Sequence, residues 1–130
     1  MVERTIPGVD MSISIRHSKP LTITGSYNFL RTLPTIAGLT SYGDPIIYSF
    51  PNAQVKTEKG ISGIQLMIES HCAFHWWPDN KYTHVTISSC KAIKIDKILE
   101  FIGEIFATTD ITYRETQWTE QPVYLLSRNN

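Results

Sequence analysis

The sequence has no surplus of either charge: twelve lysines and arginines balance twelve aspartates and glutamates. No global field draws such a chain to nucleic acid or to an anionic membrane, and small molecules or proteins are the expected partners. It also has no long apolar run. The first twenty residues, MVERTIPGVDMSISIRHSKP, hold nothing of the length a secretory or membrane segment needs. A cytoplasmic location is therefore expected, with Cys72 and Cys90 kept reduced. Two cysteines at a spacing of 18 match no zinc-finger pattern, and no metal is expected. Repeats, low-complexity segments and linkers are missing too, so residues 1–130 read as one domain. At 42% hydrophobic and 18% charged residues, the chain is too apolar for disorder and long enough to bury a core without staples.

The apolar pattern is mostly that of strands. Met11, Ile13 and Ile15 alternate with serines, and Leu21, Ile23 and Gly25 alternate with polar residues, predicting two half-buried strands either side of Ser18–Lys19–Pro20. Residues 27–41 are loosely helical at Phe29, Leu30, Leu33 and Ile36, with Pro34 and Gly38 keeping the helix short. A turn at Gly43–Asp44–Pro45 leads into a strand over 46–50, and the polar stretch 51–60 reads as a loop or hairpin turn. Strands follow at 61–70, 82–90 and 111–117, with a turn at Pro78–Asp79–Asn80. Ile95, Ile98, Leu99, Ile102, Ile105 and Phe106 make one apolar stripe, predicting a helix near 95–107. The fold class expected is α+β: a two-layer sandwich in which helices cover one face of an antiparallel sheet.

The chemistry concentrates at residues 69–77, ESHCAFHWW. Alternation along a strand over 61–70 places Ser62 and Ser70 on one face, and His84 and Cys90 share a face of the next strand. A metal reading draws on His71, His75, Cys72 and Cys90, but histidines four apart signal zinc on a helix, and this segment reads as strand and turn. A hydrolase serine sits on a glycine-flanked elbow, and Glu69–Ser70–His71 has no such glycines.

The stretch ESHCAFHWWPDNKYTHVTISSC, residues 69–90, closely resembles the core of the bacterial and archaeal S-adenosylmethionine decarboxylase proenzymes. The matching residues are Ser62–Gly63, Glu69–Ser70–His71, His75, Trp77–Pro78 and Cys90, at ungapped offsets, and the resemblance covers about residues 60–107. It implies that the chain cuts itself between Glu69 and Ser70. The Ser70 hydroxyl attacks the Glu69 carbonyl, giving an ester; His75 then removes the Ser70 Cα proton, and elimination leaves a residue that hydrolyses to a covalently bound pyruvoyl group. Ser62 assists the acyl shift. The pyruvoyl group can form a Schiff base with a substrate amine and act as an electron sink, as PLP does. Cys90 is the implied proton donor to the decarboxylated product, a role open to a thiol of ordinary acidity, which is protonated at neutral pH.

The resemblance further implies S-adenosylmethionine as substrate, supply of the aminopropyl donor for spermidine, and a homodimer of processed two-chain units with active sites near the subunit interface. For substrate binding it points to Trp77, to Asp79 where relatives carry glutamate, and to Phe50 as an adenine-stacking ring if the loop 51–60 is an insertion. Two other readings go with it: a pyruvoyl-dependent decarboxylase of ornithine or arginine, and a non-catalytic homologue acting as a binding or regulatory subunit.

Overall fold

The computed structural model describes residues 8–50 and 59–118. Six strands form one sheet: β1 (Val9–Arg16), β2 (Ile46–Phe50), β3 (Gly60–Met67), β4 (Ser70–Trp77), β5 (Tyr82–Ser89) and β6 (Ile111–Gln117). Their order is β2-β3-β4-β5-β1-β6, and every neighbouring pair is antiparallel. Two helices, α1 (Ile23–Ala37) and α2 (Ile95–Phe106), pack on one face. The expected two-layer α+β sandwich is therefore what the chain forms. The expected turn over 51–60 lies mostly outside the described residues.

Alternation determines which face is dry. Met11, Ile13 and Ile15 of β1, Val85 and Ile87 of β5, Cys72 and Phe74 of β4, and Ile61 and Met67 of β3 meet the helices and are buried. Burial pushes the Cys72 thiol up to about 12, which keeps it protonated and makes it a core residue instead of a reactive one. The stripe on α2 faces the sheet as its spacing predicts, with Ile98, Ile102 and Phe106 fully buried and Ile95, Leu99 and Ile105 partly so. Among the described residues the opposite face carries no helix. There the β2–β3 side exposes Ile46, Tyr48, Phe50, Ile64 and Leu66, while β5, β1 and β6 present mainly polar side chains.

Three expectations need correcting. Leu21, Ile23 and Gly25 do not form a strand, because Thr22 starts a helix there. Its hydroxyl oxygen accepts the Gly25 N–H at 2.9 Å, and the alternation belongs to a cap and first turn with Ile23 exposed. The helix is also not short. Pro34 sits in its last turn, where the one backbone bond it forgoes is lost near an end, and Gly38 closes the helix at φ 84°. Replacing Thr22 with alanine is expected to lower stability by about 1 kcal/mol, read from the denaturant midpoint, with little effect on the sheet.

The third correction concerns the strand expected over 61–70. It ends at Met67, and Ile68 and Glu69 form a two-residue turn that starts β4 at Ser70. Thr40 pins this turn from outside the hairpin, its carbonyl accepting the Ile68 N–H at 3.0 Å.

Candidate active site

The turn divides the residues singled out above into two groups. In the β3–β4 ladder Ser62 stands opposite His75, whereas Ser70 stands opposite Met67 at the turn. Ser70 and His75 stand five strand positions apart, about 17 Å at the usual rise. Alternation also sends Ser62 and His75 to the open face and Ser70 toward the helix side. The shared face expected for Ser62 and Ser70 is thus not what the chain forms: reversing the strand at Ile68–Glu69 moved Ser70 onto a different strand. The same counting separates His71 from His75 by about 13 Å, too far for one ion to bridge within a chain. Among the described residues no three His, Cys, Asp or Glu side chains gather as a metal group.

The first group is built on His75. Its Nε2 lies 3.1 Å from the Lys59 carbonyl, which can only accept, so the neutral ring carries its proton on Nε2. Nδ1 is then a free acceptor, and the Ser62 hydroxyl donates to it at 2.7 Å. The ring lies against Trp77 with centroids 4.2 Å apart and near Phe50 at 6.4 Å, where Phe50 ends β2 opposite Gly60. Trp77 in turn stacks on Tyr82 at 5.5 Å. Asp79 follows in a single 3-10 turn, Pro78–Asn80, with its carboxylate 3.9 Å from Lys59. That pair is well exposed and holds little energy, so Asp79 is available to a ligand. Aromatic rings, a base and a carboxylate in one corner suit a cationic substrate with a planar ring.

The second group surrounds the Glu69–Ser70 peptide bond. Ser70 has φ 155°, outside the range that residues with a side chain favour. Such a conformation costs on the order of 1–3 kcal/mol, strain that sits next to the bond in question. The Glu69 carbonyl oxygen accepts the backbone N–H of Cys90 at 3.0 Å. This donor is aimed where negative charge develops if a nucleophile adds to that carbonyl. Cys90 itself is half-buried one residue beyond β5, next to Ser89, which pairs with Ser70.

The Glu69 side chain holds the junction still. Its carboxylate accepts the Thr40 N–H at 2.9 Å and the Thr40 hydroxyl at 3.2 Å, with the Lys91 ammonium 3.6 Å away. The Thr40 N–H foremost, with the charge of Lys91 adding to it, holds its pKa below the usual carboxylate range. Glu69 therefore remains an anion at neutral pH and anchors the turn. Thr40, Lys91 and the Cys90 amide escaped the sequence reading. A backbone donor has no residue signature, and Thr40 reaches the turn from a loop 29 positions away.

Three comparisons bear on this arrangement. A model of the S-adenosylmethionine decarboxylase family matches residues 24–118. An S-adenosylmethionine decarboxylase proenzyme from Thermoplasma volcanium is 31% identical over 86 residues, 65% of each chain. Its counterpart from Thermoplasma acidophilum is 33% identical over 86 residues, again 65% of each, and that from Picrophilus torridus 32% over 59 residues, 45% of each. The match therefore spans less than two thirds of the length of these relatives. The adenosylmethionine decarboxylase of Aquifex aeolicus has a similar fold, with a TM-score of 0.68 over 92% of this chain and 98% of that one, at 17% identity.

Proposed function

This chain belongs to the S-adenosylmethionine decarboxylase family, and on that footing we propose that it matures by cutting itself between Glu69 and Ser70 and then decarboxylates S-adenosylmethionine. The product is the aminopropyl donor for spermidine synthesis. One observation carries the reading: a serine hydroxyl, a strained φ at the same residue and a carbonyl already bound by the Cys90 N–H all meet at one turn. Attack by Ser70 Oγ on that carbonyl exchanges the amide for an ester. Removal of the Ser70 Cα proton by His75 then releases Glu69 as a free carboxylate. Ammonia leaves in exchange for water, and position 70 becomes a pyruvoyl group.

That group supplies a keto carbon for the substrate amine and a sink for the electrons left when carbon dioxide departs. The chain's own residues do the rest. Trp77 and Phe50 offer ring faces to the adenine, Asp79 offers a carboxylate to the substrate, and the Cys90 thiol gives up the proton that replaces carbon dioxide.

A single chain cannot bring His75 to its own Ser70 across about 17 Å of strand. The reading therefore requires a homodimer in which Ser62 and His75 of one copy complete the Ser70 and Cys90 end of the other. Support comes from the open face, where Ile64, Leu66 and Ile68 form an apolar line between the two groups, 38%, 55% and 70% exposed. Apolar side chains exposed in a row are what a second copy covers.

Intact mass spectrometry of fresh protein tests maturation. Two fragments are expected, the second beginning with a blocked residue 70. The cut protein should release carbon dioxide from S-adenosylmethionine and none from ornithine or arginine. A fully cut protein inert toward S-adenosylmethionine would rule out that substrate, and a chain that stays whole would make it a binding subunit.

A further inference from the structure

Ser70 and His71 are consecutive in β4, and consecutive strand residues normally point to opposite faces. Yet Ser70 Oγ and His71 Nδ1 lie 3.0 Å apart. The positive φ at Ser70 breaks the alternation at that residue and lets its hydroxyl meet the next ring. No other imidazole of the same chain is as near: His75, which serves the later proton removal, is at the far end of the strand.

His71 also has an anion in its row. The register sets His71 opposite Ser88 and Ser88 opposite Asp10, all on the open face. Asp10 accepts the Ser88 hydroxyl at 2.6 Å and the Trp118 indole N–H at 2.9 Å. These two bonds, that to Ser88 foremost, hold its carboxyl below the usual range. A fixed carboxylate therefore stands two strands, about 10 Å, from the ring.

We propose that His71 is the base that accepts the Ser70 hydroxyl proton in the acyl shift, with Asp10 as a positioning residue held in the same row through Ser88. The proposal rests on the self-cleavage reading above. As the Ser70 Oγ–carbon bond forms, the proton moves to His71 Nδ1 and the charge on the Glu69 oxygen is met by the Cys90 N–H. Collapse breaks the carbon–nitrogen bond, and His71 returns the proton to the departing Ser70 nitrogen. An ester and an amine result, with no net gain or loss of protons. Two histidines thus divide two transfers: His71 the hydroxyl proton, and His75 of a second copy the Cα proton.

The test isolates the first transfer. In a His75→Ala chain the acyl shift proceeds but elimination is blocked, so an ester accumulates that hydroxylamine cuts after residue 69. Adding His71→Ala should slow that cleavage about 100-fold. Imidazole in the buffer should restore part of the rate. His71→Gln, which can accept a hydrogen bond but not a proton, should behave like His71→Ala, and Asp10→Asn should cost only a few-fold. Unchanged cleavage with His71→Ala, or normal cleavage with His71→Gln, would overturn the role of His71 while leaving self-cleavage standing. A slow variant that imidazole does not rescue would overturn it as well, reducing His71 to a structural part of the turn. No hydroxylamine-labile bond in His75→Ala, together with an uncut wild type, would overturn self-cleavage and this proposal together.

Discussion

A Ser70→Ala chain is expected to stay in one piece and release no carbon dioxide from S-adenosylmethionine, and a His75→Ala chain to be equally inactive. Co-expressed, the two should return about a quarter of wild-type activity, the statistical share for a two-fold dimer with shared sites. Random pairing makes half the dimers mixed. In each mixed dimer one site has an intact Ser70 facing an intact His75, and the other site has neither. The expectation comes directly from the β3–β4 register, which places Ser62 opposite His75 and leaves Ser70 at the turn. The measurement needs two affinity tags, so that mixed dimers are purified and counted. Purified mixed dimers as inactive as either parent would sink the shared site.

Gly60→Ala is expected to destabilise the fold by about 3 kcal/mol or more. Gly60 has φ 125°, and a Cβ there would lie 1.7 Å from the Trp76 carbonyl oxygen and 2.9 Å from its carbon. These are backbone atoms of the paired strand, with no flexible end to move aside. Unfavourable φ alone costs on the order of 1–3 kcal/mol, and forcing the strands apart adds to it. The damage also falls beside the base, since Lys59, the preceding residue, holds His75 by its carbonyl. Gly43→Ala is the control: Gly43 has φ 75° but nothing within 4 Å of an added Cβ. It should cost about 1 kcal/mol. Denaturant midpoints in the uncut Ser70→Ala background compare them, and equal losses would refute the close approach.

Much of this architecture is legible in the sequence. The period-two alternation of Met11, Ile13 and Ile15, and the helical spacing from Ile95 to Phe106, come from burial against one core, and burial is what such patterns record. The start of α1 was misread because three residues, Leu21, Ile23 and Gly25, fit a strand as well as a cap with its first turn. Thr22 held the deciding signal in its hydroxyl. The proposed junction at 69 and 70 was marked by residue types at fixed offsets. Its geometry was not, because the turn at Ile68–Glu69 has no glycine, asparagine or proline to mark it. Two residues at ordinary φ reverse the chain there, and the unusual angle passes to Ser70. A pattern read straight through the turn put Ser62 and Ser70 on one face, whereas the chain sets them at opposite ends of a hairpin.

That tight turn has a consequence for how the protein comes to exist. A cut between residues 69 and 70 severs a connection only two residues long, and the seven residue pairs from Ile61–Trp76 to Met67–Ser70 still hold the pieces together. Folding before the cut is a first-order event within one polymer. Refolding after it is second-order, because two polymers must find each other at whatever concentration they have. On the maturation proposed above, the sheet is assembled first and cut second, which converts a reversible folding problem into one the molecule solves only once.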